Sequence, residues 1–400
     1  MSFTLTKKEV KAHPYRSKGS TLLSEDSHNL KIVYNKYKTN CPPPNPKNQL
    51  RFNLIFCHGT GFNKSIWKYH VKKLYQLSQS MQVPWFLDSV ITIDALGHGD
   101  SALANAGKLG PVFCWDDGAR DVITVINQEI ATTGDFQNNS ESRNVIIGHS
   151  MGGFIALYSA FLESELFDSV IPIEAVIYGQ IDGLDKFKKI FNKIKQMMID
   201  TFDSHEDALF YFTKFSFTKK FNEEVMKDYL EDELIEIKDP ETGDIKIQCK
   251  CNKSYQVAGY FGAFPSIAKG MLALPSIKVP ILHVVGANGQ WNPPESTPWI
   301  RETIKPKYLA GTVDIPKGEH LVNAEQPDET IEVIAKFLTE RNDNFKKELL
   351  ETPESKLKHD KKAIEQQEFS KLIDDMDLDN IYGYELERRN LFGNGLKSKM

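Results

Sequence analysis

The chain contains no uninterrupted apolar run approaching 18 residues, so no segment is expected to span a membrane. It also lacks a secretory apolar core near its start; "MSFTLTKKEVKAHPYRSKGS" is basic and polar. There is no basic excess: 49 Lys and Arg face 54 Asp and Glu, a net charge of −5, which argues against a nucleic-acid partner. Cysteine is scarce. The five residues, Cys41, Cys57, Cys114, Cys249 and Cys251, are odd in number and scattered, as expected of free thiols in a reducing compartment. Cys249 and Cys251 form one C-x-C with no second pair or His cluster nearby, so a four-ligand zinc site is not expected, and no metal or other cofactor is. Repeats and long low-complexity tracts are missing too.

What is present is a chain of 400 residues, enough for a large domain plus an insertion or tail. Residues 1–50 form a polar lead-in with a strand near 30–39 and a proline-rich turn at 40–49. From 51 to 176, buried strands alternate with amphipathic helices. The strands are "LRFNLIFCHG", "SVITIDALGHGDS", "NVIIGHS" and "SVIPIEAV". The alternation resumes over 279–340 with "VPILHVVG" and "GTVDIPKG". This order predicts an α/β fold whose mostly parallel sheet is covered by helices on both faces. Between them, 177–278 reads as an inserted helical cap rich in Phe. From 341 to 400 the chain becomes a charged helical extension ending in "LFGNGLKSKM".

"NVIIGHSMGG" has the form strand, G-x-S-x-G, helix, with Gly148, Ser150 and Gly152. A sharp strand-to-helix turn presents a serine in a strained conformation, and side chains two residues to either side would clash. The helix that follows points its positive end at the serine, where an oxyanion would form. "HGTGF" (58–62) follows the first parallel strand, so Thr60 or Gly61, together with Met151, are the candidate backbone donors of an oxyanion hole. His320 in "PKGEHLV", far downstream, is the candidate base. His98 and His149 are read as structural neighbours of the site.

These motifs, in this order, resemble the α/β-hydrolase superfamily over roughly 50–178 and 276–340. The phrases "GHGDSA", "DGARDV", "VIIGHSMGGF", "VVGANGQWNPP" and "HLVN" are similar to fungal peroxisomal lipases of that superfamily. The resemblance implies a lipase or esterase acting on a small apolar acyl ester without a cofactor. Many members carry an acid in the loop after the seventh strand of the fold. Here "GANGQWNPP" has none, and Asn288 cannot stabilise an imidazolium as a charge can. The resemblance points instead to Glu174 in "PIEAV", at the end of the sixth strand, as the acid; Glu319 and Asp314 are weaker choices. The Phe-rich stretches "FYFTKFSF" and "GYFGAF" would line an acyl pocket or simply pack the cap. An acyl-thioester hydrolase is an alternative reading, and so is a non-catalytic binding protein that keeps the fold. Epoxide hydrolases and haloalkane dehalogenases share the fold but use an aspartate where this chain has Ser150.

The chain ends Ser398-Lys399-Met400, which resembles the S-K-L address read by the peroxisomal import receptor and implies the peroxisomal matrix. Oligomeric state is not legible. A fluorescent fusion that leaves the C-terminus free should be peroxisomal, and removal of residues 398–400 should leave it in the cytosol. Unchanged import after that removal would show that the address lies elsewhere.

Overall fold

The computed structural model describes residues 3–22, 28–43, 49–80, 82–180, 183–239, 242–351 and a few isolated positions between 366 and 374. Ser398, Lys399 and Met400 lie outside the described residues. The chain divides into two units, 1–342 and 343–400. Of the second, only the end of a helix and isolated helical residues are described.

An eight-stranded sheet forms the core. It contains β1 (Phe3–Lys11), β2 (Lys31–Thr39), β3 (Leu50–Cys57), β4 (Trp85–Ile93), β5 (Ser142–His149), β6 (Ser169–Ile173), β10 (Ile281–Gly286) and β11 (Leu309–Ile315), in the order β1-β2-β4-β3-β5-β6-β10-β11. β1 and β2 run antiparallel and β2 is antiparallel to β4; every pair from β4 to β11 is parallel. The central strands are mostly apolar because helices cover both faces. β1 falls in the stretch read as polar lead-in. It is an edge strand with mostly exposed side chains, so no buried alternation marks it.

Helices α1 (Lys68–Gln79), α2 (Gly99–Ala104), α3 (Trp115–Thr133) and α4 (Met151–Leu162) connect the strands up to β6. α9 (Ser296–Thr303), α10 (Val322–Glu325) and α11 (Pro327–Glu351) follow β10 and β11. Between β6 and β10 come α5 (Gly183–Met197), β7 (Thr201–Phe202), α6 (His205–Lys214), α7 (Glu223–Glu233), β8 (Leu234–Lys238), β9 (Ile245–Cys249) and α8 (Lys253–Ala273). This cap is helical but not wholly so. β7, β9 and β8 form a small antiparallel sheet. "LIEIK", read as the continuation of a helix, alternates apolar and charged residues and pairs with "IKIQC".

Among the described residues one helix, α8, is long and apolar enough to cross a membrane by length and composition. Scattered polar residues hid it from a search for unbroken apolar runs. In the fold its small residues dock on the start of α3. The Trp115 N–H donates to Ser266 Oγ at 2.8 Å, and the Trp115 indole N–H donates to the Gly259 carbonyl at 2.9 Å. A Cβ at Gly262 would lie 1.6 Å from the Phe113 carbonyl oxygen.

A buried ionic cluster joins the cap to the core. Lys64 Nζ, at the carboxyl edge of the sheet, lies 2.8 Å from Asp94, 2.9 Å from Asp100 and 2.8 Å from Asp232 of α7. Lys250, just after β9, lies 2.6 Å from Asp100 and 3.0 Å from Asp232. Burial works against the Lys64 charge, but Asp94, Asp232 and Asp100 outweigh it and hold its pKa above the ordinary lysine value. A charge this deep is tolerable only with such partners.

Several histidines are buried neutral. Burial pushes His58 down to about 4 and His70, His149 and His283 down to about 3, from an ordinary value of 6.5. Below pH 6.5 the unfolded chain takes up protons that the folded state refuses. Stability is therefore lost as pH falls from 6.5 through about 4 and then 3, by up to about 1.4 kcal/mol per pH unit for each such group. His70 packs against Trp67 in the core. His70→Phe should reduce the slope of stability against pH between 6.5 and 4 in urea unfolding; an unchanged slope would remove His70 from this account.

Candidate active site

β5 ends at His149, and α4 starts at Met151. Ser150 between them has φ 54° and ψ −114°, a conformation that costs a side-chain-bearing residue of order 1–3 kcal/mol. The surroundings impose it. The Ser150 N–H donates to the Ile173 carbonyl at 3.0 Å, and the Ser150 carbonyl accepts from Phe154 and Val176 at 3.2 and 3.3 Å. The flanking glycines allow the turn to be this tight. A Cβ on Gly148 would stand 2.0 Å from the Gly152 carbonyl oxygen, and one on Gly152 would stand 2.2 Å from the Cys57 carbonyl oxygen.

His320 follows β11 and reaches back to the elbow. Its Nε2 lies 3.1 Å from Ser150 Oγ, and its Nδ1 lies 3.1 Å from Glu174 Oε2. Glu174 follows β6 directly and is only 3% exposed. Its own backbone is in the left-handed region, at φ 48°, held by its N–H donating to the Val284 carbonyl at 2.9 Å. Ser150, His320 and Glu174, read separately from the sequence, therefore form one hydrogen-bonded chain. Glu319 points elsewhere and pairs with Lys220 at 2.5 Å, while Asp314 pairs with Arg301.

The loop after β10 lacks an acid but touches the one on β6. The Gly286 N–H donates to Glu174 Oε1 at 2.8 Å, and Asn292 Nδ2 donates to Oε2 at 3.3 Å. Trp291 lies stacked on the His320 ring, centroids 5.4 Å apart and planes at 23°. Asn288 is exposed, and its N–H bonds the Gly318 carbonyl at 2.8 Å. Sequence reasoning missed Gly286, Trp291 and Asn292. Their only signal was a tryptophan and an asparagine in a strand-end loop, residue types that also occur there without any role.

The "HGTGF" loop lies against the elbow. Thr60 Oγ1 is 3.5 Å from Met151 Sδ. Gly61 has φ 82°, and its carbonyl accepts from the buried Tyr229 hydroxyl of α7 at 3.1 Å. Met151 opens α4, so its N–H belongs to the first turn, whose donors have no partner within the helix. Three other histidines, His58, His98 and His149, lie buried around the elbow. His58 Nδ1 donates to the Gly59 carbonyl at 2.8 Å while its Nε2 accepts from the Ala95 N–H at 3.1 Å. His149 Nε2 donates to the His320 carbonyl at 2.7 Å, with its pKa pushed by burial to about 3. His98 is fully buried.

The Phe-rich stretches divide. Phe217 packs on Phe62 and Tyr260 on Trp291, both beside the site. Phe212 is buried within the cap, and Phe261 and Phe264 pack on α5. Phe210 and Phe215 are exposed rather than lining a pocket.

The fold is that of the α/β hydrolases. Residues 54–333 match the alpha/beta hydrolase family, and the chain belongs to it. It is 28% identical to the peroxisomal membrane protein LPX1 of Saccharomyces cerevisiae over 331 residues, 80% of this chain and 82% of that one. The solved structure of the peroxisomal alpha-beta-hydrolase Lpx1 from that yeast superposes with a TM-score of 0.74 at 27% identity, covering 85% of this chain and 90% of that one. A stretch of 176 residues, 44% of this chain and 37% of the relative, is 28% identical to the type I acyl-CoA thioesterase mpaH' of Penicillium brevicompactum.

Gly152→Ala tests the elbow. Its methyl group would meet backbone, which cannot yield as a side chain can. The variant should lose about 1–3 kcal/mol of stability or more in denaturant unfolding. Wild-type stability would mean that the turn is looser than the distances indicate.

Proposed function

We propose that this protein is a serine hydrolase of carboxylic esters, a lipase or esterase, with Ser150 as nucleophile, His320 as base and Glu174 as acid. The observation that supports this best is the chain of contacts from Ser150 Oγ through both ring nitrogens of His320 to Glu174. Ser150 Oγ attacks the acyl carbonyl while His320 Nε2 takes the hydroxyl proton. The same proton passes to the leaving alcohol, giving an acyl-serine. Water attacks that ester, again through His320, releasing the acid and restoring Ser150. Glu174 accepts from Nδ1–H, so Nε2 is left as the free base, and its charge steadies the imidazolium. The N–H of Met151, with that of Thr60 or Gly61, would hold the oxyanion.

The neighbours of Glu174 explain why the acid can sit on β6. Gly286 and Asn292 offer it two donors, so both oxygens are engaged. Trp291 and His149 restrict the His320 ring and backbone. The Ser-Lys-Met ending and the similarity to a peroxisomal relative support a peroxisomal site of action, and we place it in the matrix. A second reading, hydrolysis of acyl thioesters, is supported by the similarity to an acyl-CoA thioesterase. Parallel assays of p-nitrophenyl esters and acyl-CoAs of varied chain length separate the two.

Ser150→Ala should lower kcat by about 10⁶ and abolish fluorophosphonate labelling while the fold is kept. Glu174→Gln should lower kcat by roughly 10³–10⁴ with little change in KM. A glutamine cannot accept from Gly286, Asn292 and His320 together, because one of its two polar atoms is a donor. Asn288→Ala should cost far less. Normal turnover by Glu174→Gln together with an inactive Asn288→Ala would sink this triad.

A further inference from the structure

Residues 209–221, "LFYFTKFSFTKKF", hold five phenylalanines and three lysines and no acidic residue, in a chain of net charge −5. The stretch spans the end of α6 and the turn after it. Beyond the helix the side chains alternate: Phe215, Phe217 and Lys219 point out, while Ser216 and Thr218 point in. Thr218 Oγ1 donates to the Phe212 carbonyl at 2.8 Å, and the Ser216 N–H donates to the Tyr211 carbonyl at 3.0 Å, which fixes the turn. Phe210 is 56% exposed, Phe215 60% and Phe217 42%. The Phe210 and Phe215 rings touch each other, 5.4 Å apart, and so form one patch.

Beside it, α5 turns Phe187 and Phe191 toward α8 and leaves Lys186, Lys188, Lys189 and Lys195 exposed. Asp203, Glu206 and Asp207 gather at the N-terminal end of α6. The stripe also borders the candidate site: Phe217 packs on Phe62 of the "HGTGF" loop, and Lys220 pairs with Glu319, the neighbour of His320.

We propose that this Phe–Lys face is a docking surface for an anionic phospholipid bilayer. Exposed rings flanked by lysines suit the headgroup boundary, where rings enter the acyl region and ammonium groups meet phosphates. A second copy of the chain docking face to face through a two-fold axis would bring the same lysines together, so charge opposes it. Taken with the ester-hydrolase reading, on which this last step rests, substrate would reach Ser150 from the bilayer.

The test is flotation of the full chain, carrying Ser150→Ala to prevent turnover, with vesicles of phosphatidylcholine alone or with about 30 mol% phosphatidylserine. The protein should float with the anionic vesicles and not the neutral ones, less so as salt rises from about 0.1 to about 0.5 M. The double substitution Phe210→Ser and Phe215→Ser should lower partitioning roughly a hundredfold. Lys214→Gln and Lys219→Gln should each lower it about fivefold. In the chain with Ser150 intact, the double serine variant should turn over a short soluble ester normally. No flotation of the parent, equal flotation of the double serine variant, or a dimer in sedimentation that the double substitution dissolves would each overturn the proposal. Flotation with no turnover of any ester would leave the surface standing and remove the site reading instead.

Discussion

Ser150 holds a backbone conformation that it would leave if released, and much of the architecture serves to keep it there. β5 supplies the strand and α4 the helix; Ile173 of β6 accepts its N–H. The approach is so close that Gly148 and Gly152 leave no space for a methyl group against the Gly152 and Cys57 carbonyls. The strain is offset by the packing of three central parallel strands and a buried helix. The result is a hydroxyl at the carboxyl edge of the sheet beside the first turn of α4, where a developing negative charge is favoured.

Glu174 repeats the arrangement one strand away. It too is a non-glycine residue with positive φ directly after a buried strand, and it too is pinned by a neighbouring strand's carbonyl. The loop after β10 then acts on the carboxylate without contributing one. The N–H of Gly286, the last residue of β10, and the Asn292 amide hold the two oxygens, and Trp291 covers the imidazole. A carboxylate with three donors in a nearly dry setting is worth more than one exposed to water, because solvent does not compete for its lone pairs.

The cap is joined to the core at several places. The ionic cluster around Lys64 binds Asp232 and Lys250 to the sheet edge. The Tyr229 hydroxyl holds the Gly61 carbonyl in the loop proposed to stabilise the oxyanion. α8 packs its small residues on α3, which leaves its aromatic residues to meet α5 and Trp291. Burying charge here is costly unless every partner remains, so movement of α7 away from the core would expose an unbalanced lysine.

The elbow, the "HGTG" turn and the alternation of apolar strands with helices were legible in sequence because each is local: a period, or a glycine at fixed distance from a serine. β1 was not, since an exposed edge strand has no buried face to set a pattern, and β8 was masked by the helix that runs straight into it. Glu174 was reachable only through family resemblance, because a carboxylate after a strand looks the same whether or not a histidine 146 residues later points at it. The roles of Gly286, Trp291 and Asn292, and the division of the phenylalanines into buried and exposed, were settled by tertiary structure alone. Sequence by itself determined which residues could do chemistry and where the chain must turn. Which of them meet depended on the sheet order, which sets β6 beside β10 and β10 beside β11, so that residues far apart in the chain converge on one edge.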